Sequence, residues 1–133
     1  MKILIDTNVL VSAALFPGSV PYQAYMKAVG TPFNALICDQ NIKEFKRVFD
    51  LKFPHKVDVV DRFLSFAMVT VEVVSTPSSV ALNEEKIRDI MDRPIFRAAV
   101  NFNVDIILTG DRDFLEAKIE KPKCLTPAEF LLI

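Results

Sequence analysis

The chain has 133 residues, of which 51% are hydrophobic, and these values fit one domain (residues 1–133) with a sizeable core. A net charge of −1 argues against nucleic-acid binding through bulk positive charge, so any phosphate contact needs a local basic patch or a bound metal. Three glycines exclude a glycine-rich phosphate loop, and one histidine with two cysteines argues against a zinc site.

Strand-like and helix-like segments alternate through the first half of the chain. A short apolar run before Asp6 predicts a strand, and the breaker pair Pro17-Gly18 ends the helix that follows. The predicted elements are, in chain order, a strand over 2–5, helices over 7–15 and 21–29, a strand over 34–38, and a helix that Asp39 caps and that ends before Pro54.

The second half continues this alternation. Its predicted elements are a helix over 57–68, a strand over 69–74, a polar loop over 75–79, a helix opened by Asp92-Arg93-Pro94, a strand over 104–108, a short helix capped by Asp113, a strand over 123–125, and a last helix begun by the capping box Thr126-Pro127-Ala128-Glu129. Because such alternation implies right-handed crossovers, we predict an α/β fold with a central parallel sheet of four to five strands and helices on both faces.

Two acidic residues directly follow predicted strands. Asp6 ends the run Ile3–Ile5, and Asp111 follows the run 106–108 through Thr109-Gly110. In parallel sheets, ligands bind outside the carboxyl ends of the strands. Glu44, one turn into its helix, and Asp92, at the start of another, are predicted to reach the same edge.

Each of these acids alone also has a simple structural explanation. Asp6 would cap the next helix, and Glu44 would lie in solvent beside basic neighbours. Asp92 would cap the helix that Pro94 begins, and Asp111 would only shape the turn after Gly110. The same applies to two further acids, since Asp89 fits a solvated loop residue and Asp113 a helix cap. The combination of Asp6, Glu44, Asp92 and Asp111 at one edge is harder to explain structurally, because their charges repel.

Carboxylates in one cleft require a compensating charge. Two unit charges about 4 Å apart repel by roughly 4 kcal/mol at an effective dielectric constant near 20. A hard divalent cation such as Mg²⁺ or Mn²⁺ binds carboxylates and removes this repulsion. Nucleases use such metals, and the single histidine leaves no Ser-His-Asp or Cys-His set as a competing site.

The motifs, taken in order and spacing, resemble the PIN-domain family, specifically the VapC-like toxin components of prokaryotic type II toxin–antitoxin pairs. The residues that carry the resemblance are Asp6-Thr7-Asn8-Val9-Leu10, Ser12-Ala13, Leu15-Phe16-Pro17-Gly18-Ser19, Ile42-Lys43-Glu44-Phe45, Val48, Arg88-Asp89, Asp92, Thr109-Gly110-Asp111-Arg112-Asp113-Phe114-Leu115, and Leu125-Thr126-Pro127-Ala128-Glu129-Phe130-Leu131. Asp-Thr-Asn alone is a weak signal, whereas the ordered set is specific.

The resemblance implies a three-layer α/β/α fold and a metal-dependent endoribonuclease that uses Mg²⁺ or Mn²⁺. The expected catalytic residues are Asp6, Glu44, Asp92 and Asp111. The metal is expected on Asp6, Asp92 and Asp111, and Glu44 is expected to hold the attacking water and act as general base. Further residues that fit the site are Asn8, Asp89, Thr109 and Asp113, and Asp89 remains an alternative to Asp92 as metal ligand.

Basic residues near these acids are candidates for RNA contacts: Lys43, Arg47, Arg93, Arg97 and Arg112. The family usually has a small residue where Arg97 stands. On a helix, Arg93 and Arg97 share a face, and they would either grip an RNA phosphate or pair with Asp89 or Asp92 and weaken metal binding.

The expected partners are an RNA substrate, a small antitoxin protein and a second copy of the chain in a homodimer. The N-terminus lacks a signal-peptide pattern, no apolar run approaches the roughly 18 residues of a membrane span, and the cysteines fit buried free thiols, so we expect a cytoplasmic protein without membrane contact. The alternative function is a catalytically inactive PIN-like domain that binds RNA or protein. A haloacid-dehalogenase phosphatase fits poorly, because position 8 is Asn rather than Asp.

Overall fold

Five parallel strands form the centre of the protein in a computed structural model that describes all 133 residues. The strands are β1 (Lys2–Ile5), β2 (Asn34–Cys38), β3 (Glu72–Val74), β4 (Ile106–Leu108) and β5 (Lys123–Leu125). Their order across the sheet is β3-β2-β1-β4-β5, and every neighbouring pair is parallel. The predicted parallel sheet is therefore confirmed, with five strands.

Seven helices cover the two faces of this sheet. They are α1 (Thr7–Leu15), α2 (Val20–Ala28), α3 (Asp39–Lys52), α4 (Val57–Thr70), α5 (Arg93–Asn101), α6 (Arg112–Leu115) and α7 (Pro127–Leu131). No helix is both long enough and apolar enough to cross a bilayer.

The central strand β1 contributes to a separate core on each face. Ile3 and Ile5 pack with buried residues of α1 to α4 and α7, whereas Leu4 packs with buried residues of α5 and α6. Successive strand residues point to opposite faces, so an uninterrupted apolar strand is buried on both sides. The structure thus has the three α/β/α layers that were expected.

Local signals fix several helix starts, among them that of α2, which begins one residue before the predicted Pro21. Ser19 caps α2 by accepting a hydrogen bond from the Tyr22 amide. At α7, the Glu129 amide donates to Thr126 Oγ1 at 3.1 Å, and the Thr126 amide donates to Glu129 Oε1 at 3.0 Å. This reciprocal pair is the predicted capping box.

Several local predictions differ from the structure, and the strand predicted over 104–108 begins only at Ile106. Residues 69 and 70 continue α4 instead of opening β3, because the Thr70 hydroxyl donates to the Phe66 carbonyl and the Val71 amide to the Ala67 carbonyl. Cys38, not Asp39, is the N-cap of α3. Asp111, not Asp113, caps α6, since its carboxylate accepts the Asp113 amide at 2.9 Å.

The connection 75–92 between β3 and α5 is the longest segment without an α-helix or a strand. Its only regular structure is two 3₁₀ turns, Glu84–Lys86 and Ile90–Asp92. Connections of this length are uncommon in compact domains and often carry functional residues.

Candidate active site at the carboxyl edge of the sheet

The strand order places a crevice between β1 and β4. The chain fills the sheet from β1 outward through β2 and β3, then crosses to the other side of β1 to add β4 and β5. Such a switch point is where open α/β sheets bind ligands. A cleft of about 400 Å³ opens here, and five carboxylates line it: Asp6, Glu44, Asp89, Asp92 and Asp111.

Asp6 is fixed at the floor of this cleft and is only 3% exposed. Its Oδ1 accepts the Thr7 amide at 2.9 Å, and its Oδ2 accepts the Thr109 hydroxyl at 2.8 Å. Burial raises the pKa of Asp6 to about 6, and the charges of Asp111 and Glu44 add to this effect. The same carboxylate is thus a helix cap and part of an acidic cluster.

Thr109 connects Asp6 to Asp111. Its side chain is fully buried, and its Oγ1 also accepts the Asp111 amide at 3.0 Å. One hydroxyl therefore sets the spacing between the acid that follows β1 and the acid that follows β4. The structure thus brings Thr109 into contact with both acids, and its supporting role stays a prediction.

Glu44 is held by a buried polar chain that the sequence analysis did not single out. The Thr7 hydroxyl donates to Glu44 Oε2 at 2.8 Å, and the Asn41 amide group donates to Thr7 Oγ1 at 3.0 Å. Asn41 is fully buried and accepts the Cys38 amide at 2.8 Å. Gln40 donates to Glu44 Oε1 at the longer distance of 3.3 Å. The available signal was an Asn at the third position of α3, where a side chain reaches back to the N-cap.

Asp92 carries the most unusual electrostatics of the site. Its Oδ2 is buried and has no hydrogen-bond partner. Burial raises the pKa of Asp92 to about 8, and the adjoining Asp111 carboxyl and the charges of Asp6 and Asp89 act in the same direction. Buried polar atoms without partners are rare, and each calls for a ligand or a functional reason.

The donor set fits a hard divalent cation. All candidate ligands are carboxylate oxygens, and the Asp92 oxygen without a partner lies among further acids. No Lys or Arg side chain forms an ion pair with Asp6, Asp92 or Asp111. A cation would pair this oxygen and relieve the repulsion that raises the pKa of Asp92.

The three acids whose oxygens lie within metal-ligand reach of one another are not the expected set Asp6, Asp92 and Asp111. One carboxylate oxygen from each of Asp89, Asp92 and Asp113 lies within 4.8 Å of the others. Asp113 does not line the cleft, and Arg88 pairs with it at 2.9 Å. Asp89 lines the cleft, but its Oδ1 accepts a hydrogen bond from the Met91 amide, whereas Asp92 Oδ2 has no hydrogen-bond partner. This difference favours Asp92 as the metal ligand.

The basic candidates divide into two groups. Lys43 and Arg47 line the cleft, as does Lys52, and Asn8 is exposed at its edge. Three others do not line it: Arg93, Arg97 and Arg112. Arg93 Nε donates to the Ile87 carbonyl at 3.0 Å, and Arg112 is exposed without an ion pair.

Arg97 corrects both alternatives considered from the sequence. It neither lines the cleft nor pairs with Asp89 or Asp92. Its guanidinium forms a two-pronged ion pair with Glu84, with Nε to Oε2 at 2.6 Å and Nη2 to Oε1 at 2.8 Å. The partner was not predictable from helical spacing, because Glu84 lies on an irregular connection.

The family model described as PIN domain matches residues 2–113. The chain belongs to the PIN-domain family. A comparison with curated proteins finds no match.

Solved structures show how widely this PIN fold is shared. VapBC2 from Rickettsia felis, solved with a fragment of its promoter DNA, has a TM-score of 0.71 at 13% identity, over 95% of this chain and 98% of that one. VapC20 from Mycobacterium tuberculosis, a toxin that cleaves the sarcin–ricin loop, has a TM-score of 0.65 at 12% identity, over 88% and 95% of the two chains. At these identities the likeness establishes the fold.

Proposed function

We propose that this PIN domain is a metal-dependent endoribonuclease and the toxin of a toxin–antitoxin pair. The observation that carries the proposal is the unpartnered, buried Asp92 Oδ2 in a cleft lined by four other carboxylates. Membership of the PIN family and the similarity to VapC20 support ribonuclease activity.

Asp6, Asp92 and Asp111 would hold Mg²⁺ or Mn²⁺. When bound, the cation supplies positive charge to the scissile phosphate and makes water a stronger nucleophile. Thr109 keeps Asp6 and Asp111 at a fixed spacing, because its hydroxyl contacts both residues. Asp89 and Asp113 lie close enough to Asp92 to strengthen the negative potential of the cleft.

Glu44 acts as the general base. Its Oε2 accepts the Thr7 hydroxyl, so we assign proton transfer to Oε1, whose one contact is the longer bond from Gln40. The water oxygen attacks phosphorus in line and gives its proton to Glu44. The bond from phosphorus to the 3′ oxygen breaks, which leaves a 5′-phosphate and a 3′-hydroxyl after the leaving oxygen takes a proton from solvent.

RNA reaches the cleft along α3. Lys43, Arg47 and Lys52 line it and supply local positive charge to a protein whose net charge is −1. Phosphate contacts of this kind dominate nucleic-acid affinity without reading sequence.

The proposed protein partner is a small antitoxin, as the similarity to VapBC2 supports. An apolar groove of about 560 Å³ between α1, α2 and α4 offers a surface for an apolar segment of that protein; Tyr22, Met26, Phe63 and Phe66 line it, with Arg62 as its one charged residue. Co-purification with the product of the neighbouring reading frame tests this partner. The Met26→Glu variant is expected to lose the complex.

We also propose a cytoplasmic homodimer. Both cysteines are unpaired, as in a reducing compartment, and Met68 and Val69 are exposed at the end of α4. Sedimentation at micromolar concentration measures the oligomeric state.

Cleavage of a mixed RNA pool in the presence of Mn²⁺ tests the activity. Asp6→Asn keeps the side-chain volume and one of the two acceptor oxygens that serve the Thr7 amide and the Thr109 hydroxyl, and it removes the charge, so we expect a folded variant that has lost cleavage. Asp58→Asn, an exposed change of the same chemistry on α4, serves as the matched control. Cleavage by Asp6→Asn at the wild-type rate would refute the metal site, and a wild-type protein that binds no Mn²⁺ in calorimetry would indicate an inactive binding domain.

A further inference from the structure

The acids of the site lie on elements of different regularity. Asp6 follows β1 and Glu44 lies within α3, but Asp89 lies in the connection 75–92 and Asp92 at its end, where α5 begins. A long irregular connection does not by itself hold a side chain at a defined place. Its tethers to the rest of the fold therefore decide where these two carboxylates lie.

The strongest tether is the ion pair between Glu84 of this connection and Arg97 of α5. Both guanidinium contacts are short, at 2.6 and 2.8 Å, and Glu84 Oε2 also accepts the Ala81 amide at 3.0 Å. Glu84 is 5% exposed, and the Arg97 side chain is 21% exposed. Glu84 is thus buried and Arg97 mostly so, and their contacts join Ala81, Glu84 and Arg97.

Further contacts extend this tether toward the cleft. Ile87 is fully buried in the core on the α5 face of the sheet, and its carbonyl accepts Arg93 Nε at 3.0 Å. Two residues later, Asp89 caps the turn that ends at Asp92. Arg97 belongs to the helix that Asp92 caps, roughly 7 Å away along its axis by helical rise.

A gain in the free energy of unfolding does not by itself explain why the fold contains this ion pair. A buried pair gains little over an apolar pair of the same volume, because desolvation of both charges offsets their attraction. A two-pronged carboxylate–guanidinium contact does, however, define a distance and an orientation. Its distinctive contribution is therefore to position what it joins.

We propose that Glu84 and Arg97 are positioning residues that hold Asp89 and Asp92 at the cleft and thereby set its affinity for a divalent cation. The inference rests on the proposed function, since it assumes that the cleft binds the cation. Neither residue touches the cation or the RNA. Groups that orient metal ligands commonly change metal affinity by about 10- to 100-fold when they are removed.

Four variants test this assignment. Glu84→Gln keeps the volume but removes the charge, with the exposed neighbour change Glu85→Gln as matched control. Arg97→Met leaves Glu84 buried without its partner, and the double variant Glu84→Leu with Arg97→Met removes both charges. We measure the melting temperature, Mn²⁺ affinity by calorimetry, and amide exchange of residues 85–92 without metal.

Arg97→Met is expected to melt at a lower temperature and to bind Mn²⁺ about 10- to 100-fold more weakly. The double variant is expected to recover the wild-type melting temperature, while its Mn²⁺ affinity stays about 10-fold weak and residues 85–92 exchange faster than in the wild type. Glu84→Gln should show a smaller loss of affinity, and Glu85→Gln none.

A double variant with wild-type Mn²⁺ affinity and wild-type exchange would overturn the proposal, because the pair would then contribute only to stability. If Arg97→Met does not fold, the double variant and Glu84→Gln decide by the same criteria. If the wild-type protein binds no Mn²⁺, the proposed function fails, and exchange of residues 85–92 in the metal-free double variant alone decides whether the pair positions this segment.

Discussion

The two sides of the cleft are built in different ways. On the side of Asp6 and Glu44, neutral hydroxyl and amide groups satisfy the carboxylates, mainly through Thr7 at the start of α1 and Thr109 directly after β4. On the side of Asp92, one carboxylate oxygen has no partner, and an ion pair with an irregular connection provides the support. One side is therefore held by hydrogen bonds of the protein itself, whereas the other has an unpaired oxygen that the proposed cation would pair.

Among changes that leave the proposed metal ligands in place, Glu44→Gln should have the largest effect, since it removes the proposed base. Gln can still accept the Thr7 hydroxyl, so Mn²⁺ affinity is expected to stay near the wild-type value. Loss of a general base lowers the rate by roughly 10²- to 10⁴-fold. Single-turnover cleavage at saturating Mn²⁺ measures this rate, and an equal loss of Mn²⁺ affinity would instead make Glu44 a metal ligand.

Thr7→Val tests whether the neutral hydroxyl organises Glu44. The change leaves Asn41 and Glu44 each without one hydrogen bond, which costs about 1–3 kcal/mol of unfolding free energy for the buried amide. Cleavage is expected to fall about 10- to 100-fold. Thr7→Ser keeps the hydroxyl and should restore most of the rate; a serine variant as slow as the valine variant would show that packing, not the hydroxyl, matters.

The buried acids Asp6 and Asp92 and the Glu84–Arg97 ion pair predict opposite dependences of stability on pH for the metal-free protein. Burial raises the pKa of Asp92 from 3.8 to about 8 and that of Asp6 to about 6, because the folded protein favours their neutral form. The free energy of unfolding is therefore highest at low pH and falls as pH rises through these values. The Arg97 guanidinium holds the pKa of Glu84 near 2, so its contribution is lost only as pH falls from 4.5 toward 2.

Melting curves at pH 5, 7 and 9 in a chelator measure this dependence. We expect the melting temperature to fall from pH 5 to pH 9, less steeply in Asp92→Asn, and Mn²⁺ to restore it at pH 9. A wild-type protein and an Asp92→Asn variant with the same pH profile would show that repulsion at Asp92 does not weaken the empty site.

The smallest effect is expected at the mouth of the cleft. Lys43→Ala with Arg47→Ala should raise the KM for RNA several-fold with little change in kcat, because phosphate contacts act mainly on binding. Each lost contact should lower the slope of log affinity against log salt by about one. Lys46→Ala, an exposed change on the same helix outside the cleft, should change neither value.

The amino-acid pattern predicts the side of Asp6 and Glu44 better than the other one. Strand ends, helix caps and the parallel order follow from local apolar runs and capping residues, so Asp6 and Asp111 could be placed at one edge of the sheet in advance. The contact of Thr7 was not predicted, although Thr7 lies between Asp6 and Asn8, because it depends on Glu44, which lies 37 positions away.

Arg97 shows what local patterns cannot supply. Helical spacing placed it beside Arg93 and suggested an RNA contact or a partner among the nearby acids. Its actual partner, Glu84, lies in a segment with no periodicity to predict its course. Pairings of this kind depend on tertiary packing. The end of α4 was mispredicted for a local reason, because its β-branched residues favour a strand but the Val71 amide closes a last helical turn on the Ala67 carbonyl.

The position of β1 in the sheet has a consequence for synthesis. Leu4 pairs with Ile107, and the Thr109 hydroxyl that fixes Asp6 follows it by 103 residues. A chain leaving the ribosome therefore lacks one neighbour of its central strand, and one wall of its acidic cleft, until most of it has emerged. If the proposed ribonuclease activity is measured during translation, we expect it to be absent at every chain length short of nearly the whole domain, so that a truncated product does not cut RNA.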